Sequence, residues 1–449
     1  RSKSERLARL DRIAAFTYNP NGDNYGKDSL SHTEVLKITS AFLEGKRLMR
    51  LLLVNRFPLL LIDESQDTNA ALIEALFAVE RQHIGSFALG LFGDMMQRIY
   101  ADGKHDLGRS LPSDWEKPAK PVNHRSAKRI VRLGNALRRT VDGQTQTSPE
   151  EKPEGHVRLF IARAGGGAKP QVEQAVREKM AELTEDKHWL NAADVTALAL
   201  EHHMAASRLG FGPMWQALYS EDHLKRGVID GDLPGVRLFS ERVFPVVQAA
   251  SEGDRFAVAE HLKAHSPLLR RERLLTADSQ RAQLARAKAG VDALSGIVAA
   301  DNPVTLREVL RCVAEHELFE IPDALQPFVE QDAAEFADAD AQEGTGVLQA
   351  WRAFLECPYT QIIPYVRYVG EDEAFDTHQG VKGLEFKRVI VLLDDSEARG
   401  FMYSYDKLLG VEAPSATDLK NEREGKDTII ARTRRLLYVT CTRAEESLA

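Results

Sequence analysis

Two adjacent carboxylates directly follow an aliphatic run, in the stretch LLLIDESQDTN. A strand that ends in Asp63 and Glu64 places both acids at the carboxyl edge of a parallel sheet, where α/β proteins bind ligands. Nucleotide hydrolysis at such an edge needs one acid to hold Mg²⁺ and a second to orient the attacking water. The simpler interpretation is a strand end whose acids cap the next helix, because Asp and Glu favour helix N-termini. The pair alone leaves both interpretations open.

Four further segments place polar residues in comparable positions. A second aliphatic strand, FALGLF, leads into the turn GDMMQRIY, which carries Gln97. Later in the chain come VNHRSAKRI, FDTHQGVKGLEF and RRLLYVTCTRA. In wording and order, the five segments resemble motifs II to VI of the superfamily 1 DNA helicases of the UvrD/Rep/PcrA type.

The resemblance implies ATP and Mg²⁺ as cofactors, one metal ligand and four catalytic side chains. By this resemblance Asp63 would hold Mg²⁺, Glu64 would position the water, and Gln97 would sense the γ-phosphate and couple it to DNA. Arg125 and Arg443 would act as arginine fingers, because a guanidinium is permanently charged and its fork matches phosphate oxygens. Both arginines also fit the simpler interpretation of surface ion pairs.

The same resemblance implies contacts with the nucleotide. Gly383 and Glu385 belong to the KGLEF segment, in which the glutamate would bind the ribose. His124 occupies the place where the family usually has a tyrosine that stacks on adenine. An imidazole also stacks, so we expect nucleotide binding with a less certain base preference.

Single-stranded DNA is the macromolecular partner that the resemblance implies. Thr377 and His378 would touch the strand, and Tyr100 would lie near a base. Asp102 stands where the family commonly has a second aromatic residue. Because stacking contributes about 1–3 kcal/mol per base, its loss predicts weaker binding of single-stranded DNA. The segment from 117 to 139 carries nine basic residues, counting one histidine, and fits either a phosphate-tracking helix or a solvated helix face.

The sequence departs from the family at the phosphate-binding loop. The string GxxxxGK[ST], whose amides and lysine cradle phosphates, does not occur in the printed sequence. The nearest string, GDNYGKDS from Gly22, is one residue short between its glycines and has Asp28 in place of Ser or Thr. Because the family has this loop N-terminal to motif II, we expect it upstream of Arg1 in a longer protein, and we expect this segment alone to be inactive.

The pattern of elements predicts an α/β fold. Aliphatic runs next to helical stretches predict parallel sheets with crossover helices, and continuous hydrophobicity predicts strands that are covered on both faces. By resemblance we expect two RecA-like motor domains plus a helical insertion. The predicted segments are 1–116 for the first domain (1A), 117–205 and 351–449 for the second domain (2A), and 206–350 for the helical 2B-like insertion.

Composition excludes several classes of protein. The 449 residues are 43% hydrophobic with a formal net charge of −8, so charge argues neither for nor against a polyanion partner. Three cysteines without paired spacing favour a reducing compartment, and the first residues lack the apolar region of a signal peptide. No stretch reaches the roughly 18 apolar residues of a membrane span. We therefore expect a cytoplasmic protein without a membrane partner.

Two functions remain open. The first is an ATP-dependent translocase or helicase on single-stranded DNA, with 3′ to 5′ polarity implied by the resemblance. The second is a helicase-like, non-catalytic subunit that binds DNA or a partner nuclease in a repair or anti-phage defence complex. A phosphatase or GTPase explains none of the motifs after Val122. The presence or absence of GxxxxGK[ST] in the gene upstream of Arg1 discriminates between the two.

Overall fold

The computed structural model describes most of the chain. The described residues are 10, 13–18, 28–99, 103–108, 111–163, 169–275, 277–299, 303–330, 345–370, 375–378, 380–395 and 402–449. They divide into two compact units. The first unit contains Arg1–His124, Val131–Glu150 and Lys407–Val439, and the second contains Arg125–Ile130, Glu151–Asp406 and Thr440–Ala449.

The first unit contains a parallel pair of strands, β1 (Leu59–Ile62) and β2 (Ala88–Leu91). Its helices are His32–Gly45, Arg47–Arg56, Ala70–Gln82 and Ala416–Arg423, together with most of Lys128–Arg138 and of Ile429–Cys441. We call the last of these the C-terminal helix. Leu43, Val54, Leu76 and Phe87 form part of the core of this unit. Both strands lie where their aliphatic runs predict them.

One face of β1 contradicts the prediction of a strand covered on both faces. Leu59 is 59% exposed and Leu61 is 57% exposed, while Leu60 and Ile62 pack against the core. Among the described residues the burial of β1 therefore alternates. An aliphatic run does not reveal how many of its faces are covered, and here one face contributes to the core while the other does not.

The second unit contains a five-stranded, fully parallel sheet in the order β3-β7-β6-β4-β5. The strands are β3 (His156–Val157), β4 (Thr196–Ala199), β5 (Phe375–Thr377), β6 (Phe386–Val391) and β7 (Ala444–Leu448). The aliphatic runs VTALAL from Val195 and RVIVLL from Arg388 predict two buried strands, and these are β4 and β6 of this sheet. The other three strands are too short or too polar to be predicted from hydrophobicity.

Helices alone fill the described chain between β4 and β5. They are His202–Leu209, Gly212–Tyr219, Asp222–Asp230, Pro234–Arg237, Phe244–Ser251, Arg255–His265, Ala277–Val298, Leu306–Glu315, Pro327–Glu330, Thr345–Leu355 and Ile362–Val369. One continuous apolar core holds them together, with Trp215, Phe239, Leu310, Phe354 and Tyr365 among its buried members. The helical character predicted for this region is present. A further helix, Lys169–Thr184, precedes β4.

The fold is thus mixed α/β with parallel sheets and many helices. In the described residues no helix has the length and apolar character that crossing a membrane requires.

Candidate functional site

The acidic pair lies at the carboxyl edge of the first unit's strands. Ile62 pairs with Leu91 in parallel register, so β1 and β2 end side by side. Asp63 and Glu64 follow β1 directly, and both are exposed. The Asp63 Oδ1 atom accepts the backbone N–H of Glu64 at 2.9 Å. This is the edge of the sheet at which the sequence predicts ligand chemistry.

Glu64 adopts a backbone conformation that few residues of its type adopt. Its φ of 50° and ψ of 38° lie in the left-handed region. Such a conformation costs about 1–2 kcal/mol for a residue with a Cβ. The acids do not cap the following helix, because the cap is Asn69, whose side chain accepts the N–H groups of Ala71 and Leu72. The capping interpretation therefore does not explain the pair, and backbone strain of this kind is concentrated at functional sites.

Gln66 joins the acidic pair to the end of the second strand. Its side chain is 1% exposed, and its Nε2 donates to Glu64 Oε2 at 2.5 Å. Its Oε1 accepts the backbone N–H of Asp94 at 3.2 Å. Gly93 allows this approach, because a Cβ there would lie 2.1 Å from Gln66 Oε1. The two motifs predicted to meet at this edge are therefore connected by a buried carboxamide.

Asp94 then shapes the turn that carries Gln97. We call residues 94–98 the Gln97 turn. Asp94 Oδ1 accepts the N–H of Met96 at 2.9 Å, and its backbone O accepts the N–H of Gln97 at 2.8 Å. The side chain of Gln97 is half-buried. One hydrogen-bonded path thus leads from Glu64 through Gln66 and Asp94 to the turn of Gln97.

Asp63 has the ligand chemistry that Mg²⁺ prefers. This ion binds one or two carboxylates and fills its other positions with water and phosphate oxygens. Within the described ranges, no three His, Cys, Asp or Glu side chains gather closely enough to hold a metal ion together. Asp63 supplies one such carboxylate, and its role as a Mg²⁺ ligand stays a prediction.

Three further predicted residues meet in the second unit, at the amino ends of β6 and β7. Arg125 Nε donates to Glu385 Oε2 at 2.8 Å. Arg443 is 2% exposed, and its Nη1 donates to the backbone O of Leu384 at 3.2 Å. The backbone O of Arg443 accepts the N–H of Phe386 at 2.9 Å, which joins the two strand starts. The arginine–glutamate pair is partly exposed, whereas Arg443 is held inside.

The other predicted nucleotide-binding residues flank this cluster in sequence. Gly383 has a φ of +91°, and nothing lies within 4 Å of where its Cβ would be. A side chain there would be strained by the backbone rather than by its neighbours. His124 is exposed and belongs to the first unit. The predicted roles of both residues stay predictions.

The residues predicted to touch DNA lie at the carboxyl end of β5, opposite to the edge that holds Arg443. His378 is 0% exposed; its ring hydrogen-bonds the backbone O of Leu198 at 2.9 Å and the Tyr405 hydroxyl at 2.8 Å. Burial lowers the pKa of His378 to about 4. Thr377 is 2% exposed, and its Oγ1 accepts the N–H of Gly380 at 3.0 Å. Both side chains hold the interior of the unit together, so their contact with DNA stays a prediction.

Two of the sequence-based expectations fall outside the described residues. Tyr100, predicted to lie near a base, and Asp102 are among the residues that the structure does not describe.

The basic segment from 117 to 139 is described. Both interpretations of this segment, a phosphate-tracking helix and a solvated helix face, predict that Arg138 is exposed, and it is not. It is 2% exposed and forms ion pairs with Asp94 and Asp142. Its burial depends on partners that sequence spacing does not reveal.

Comparison with known proteins gives one distant similarity. No family model matches the chain. The chain is similar to the Gabija protein GajB of Bacillus cereus (strain HuB5-5), with 20% identity over 453 aligned positions. The alignment covers 95% of this chain and 63% of that protein, so the chain spans less than two thirds of the relative's length. The similarity extends over both units and is not confined to the five motif segments.

Proposed function

We propose that this chain belongs to an ATP-dependent translocase or helicase that moves along single-stranded DNA. The observation that carries the proposal is the buried Gln66 carboxamide, which connects the strained Glu64 to the Gln97 turn at the carboxyl edge of two parallel strands. A motor needs such a connection, because hydrolysis must be linked to a second event. The distant similarity to GajB agrees with a helicase-like superfamily. We propose that the two parallel sheets belong to RecA-like lobes.

Five of the predicted residues receive a role under this proposal. Asp63 holds Mg²⁺, and Glu64 orients the attacking water. Gln97 senses the γ-phosphate. ATP with Mg²⁺ would supply the phosphoryl group when bound, and Arg125 and Arg443 would stabilise the charge on it. Arg125 is paired with Glu385 and Arg443 is buried, so both roles require these side chains to change their contacts.

The nucleotide requires a phosphate cradle that the printed sequence does not contain. Asp63 and Glu64 fit the metal and the water, but no residue of a GxxxxGK[ST] loop is present to fit the triphosphate. For this reason the experiment uses the full-length protein.

The test is an ATP hydrolysis assay on the full-length protein, with and without single-stranded DNA. We expect DNA to stimulate hydrolysis, and we expect Glu64→Gln to abolish this activity while ATP binding is retained. The substitution keeps an oxygen that can accept from Gln66, so the fold should be preserved. Wild-type protein without DNA-stimulated hydrolysis would refute the proposed motor. Retained turnover in the glutamine variant would remove Glu64 from its role.

A specific observation favours the second function. The side chains predicted to bind DNA, Thr377 and His378, are buried in the second unit. A helicase-like subunit that binds a partner nuclease has no need of these contacts. Since the relative is named as a Gabija protein, we propose a Gabija-type assembly, in a setting of anti-phage defence or repair, as the first place to test this alternative. Association with a nuclease that survives in Glu64→Gln, together with absent hydrolysis in the wild type, is the result that this alternative predicts.

A further inference from the structure

One helix holds the Gln97 turn at both of its ends. The Tyr438 hydroxyl, on the C-terminal helix, donates to Asp94 Oδ2 at 3.2 Å. Arg435, on the same helix, donates from Nε to the backbone O of Arg98 at 2.7 Å. The two helix residues are three positions apart, so they lie on one face. Asp94 precedes Gln97 and Arg98 follows it, so the contacts bracket the predicted sensor. All of these residues belong to the first unit.

Arg138 stabilises the contact between Tyr438 and Asp94. Its Nη2 lies 3.1 Å from Asp94 Oδ1 and 2.7 Å from Asp142 Oδ2. Its Nη1 donates to the Tyr438 hydroxyl at 3.3 Å, and the guanidinium carbon lies 5.5 Å from the centre of the Tyr438 ring. Burial alone would lower the pKa of Arg138, but Asp142 and Asp94 raise it. The guanidinium is therefore a permanent charge with two carboxylate partners.

Asp427 stabilises the contact between Arg435 and Arg98. Its Oδ2 lies 2.6 Å from Arg98 Nη2 and 2.5 Å from Arg435 Nη2. Arg98 is 4% exposed and Arg435 is 7% exposed. Burial would raise the pKa of Asp427, but Arg435 and Arg98 lower it, so the carboxylate carries the charge that the two guanidinium groups need.

The three guanidinium groups of these ion pairs are buried, and their carboxylate partners are only 18–21% exposed. Exposed ion pairs contribute about 0–1 kcal/mol and rearrange easily. A buried charge that loses its partner is costly, so these pairs keep one geometry. Because Asp94 also caps the N–H of Met96, a displacement of the C-terminal helix cannot leave the Gln97 turn unchanged.

We propose that Tyr438 and Arg435 are positioning residues, which couple the C-terminal helix to the predicted γ-phosphate sensor Gln97. The catalytic part of this inference rests on the proposed function. The structural part does not, because it rests only on the hydrogen bonds of the two helix residues to Asp94 and Arg98. Motion of the helix would shift Gln97 relative to Glu64, through the path from Asp94 to Gln66.

The experiment compares two adjacent arginines in the full-length protein. Arg435→Lys keeps the charge but removes the Nε donor to Arg98. Arg434→Lys is the matched control, because Arg434 lies on the same helix and donates to the exposed Thr140 hydroxyl. Tyr438→Phe keeps the ring and removes only the hydroxyl that bonds Asp94. For each variant we measure the stimulation of ATP hydrolysis by single-stranded DNA, the KM for ATP, and the amide hydrogen exchange of Met96 and Gln97.

We expect Arg435→Lys and Tyr438→Phe to lower the stimulation about two- to thirtyfold, with little change in the KM for ATP. Their exchange at Met96 and Gln97 should quicken, whereas Arg434→Lys should match the wild type in both measurements. Two results would overturn the inference. One is an equal loss of DNA-stimulated ATP hydrolysis in Arg435→Lys and Arg434→Lys, and the other is unchanged stimulation in Tyr438→Phe. If the wild type hydrolyses no ATP, the proposed function fails, and amide exchange alone decides the coupling. Exchange that is unchanged in Tyr438→Phe then overturns it.

Discussion

Gly93→Ala tests the close approach on which the candidate site depends. An added Cβ would lie 2.1 Å from Gln66 Oε1 and 3.0 Å from Ser65 Oγ. The first distance is one that real Cβ atoms essentially never show, and the second is tight, so the Gln66 side chain must move. The Gln66 side chain is the flexible partner, but it is bonded at both ends, to Glu64 and to the N–H of Asp94. The alanine therefore displaces the carboxamide and breaks at least one of these bonds.

The expected cost follows from two contributions. Overpacking of a close-packed site costs about 1–3 kcal/mol. A buried donor that loses its acceptor, here the N–H of Asp94, costs about 1–3 kcal/mol. Movement of Gln66 relieves the overpacking but breaks the hydrogen bond to the N–H of Asp94. The two contributions therefore do not add fully. We expect the free energy of unfolding of the first unit to fall by about 2–4 kcal/mol.

The assay is urea denaturation followed by a probe in the first unit, together with ATP hydrolysis by the full-length protein. Gly45→Ala is the control, because nothing lies within 4 Å of the Cβ that it adds. It should leave stability unchanged or raise it slightly, since alanine is favoured over glycine in a helix. If Gly93→Ala were as stable and as active as the control, the proposed role of the Gln66 bridge would be wrong.

Three further predictions concern single residues. Arg443→Ala should lower turnover about 10³–10⁵-fold in steady-state kinetics, the range for arginine fingers, and a near wild-type rate would remove that role. His378 has a pKa of about 4 in the folded chain and about 6.5 unfolded, so the unfolded state binds more protons between these values. The free energy of unfolding should therefore be greatest above pH 6.5 and fall by up to about 3 kcal/mol towards pH 4. Denaturation midpoints at pH 7.5 and pH 5 measure this difference. In His378→Gln the midpoint should depend less on pH. Gly296→Ala, at an exposed helical position with open space around the added Cβ, should stabilise by about 0.5–1 kcal/mol, and a loss on thermal melting would contradict the geometry there.

Hydrophobicity alone is enough to predict four of the strands. The runs at β1, β2, β4 and β6 are all strands in the structure. The run AEESL at β7 is not predicted, because Glu445 and Glu446 interrupt it, yet it is a central strand between β3 and β6. Its burial comes from Ala444 and Leu448 at its ends. Hydrophobicity cannot identify a strand that is so short and whose middle is polar.

The residue types of the candidate site are predictable, but its connections are not. The sequence places Asp63 and Asp94 at neighbouring strand ends, and the parallel register agrees. It does not predict that Arg138 is buried, because the partners of this arginine lie 44 residues away at Asp94 and 300 residues away at Tyr438. A basic residue on a basic helix has the same local pattern whether it is exposed or fully paired.

The amide of Gln66 gives a chemical reason for the order of residues in DESQ. A connection from Glu64 to the N–H of Asp94 needs one donor and one acceptor on the same buried side chain. Glutamine has both, whereas a glutamate at this position would place two carboxylates together and offer no donor. The Glu64 carboxylate that accepts from this amide belongs to the residue with the left-handed backbone. The acid that is proposed to orient water therefore hydrogen-bonds a residue that also contacts the Gln97 turn, and through this arrangement we propose that hydrolysis is linked to the sensor.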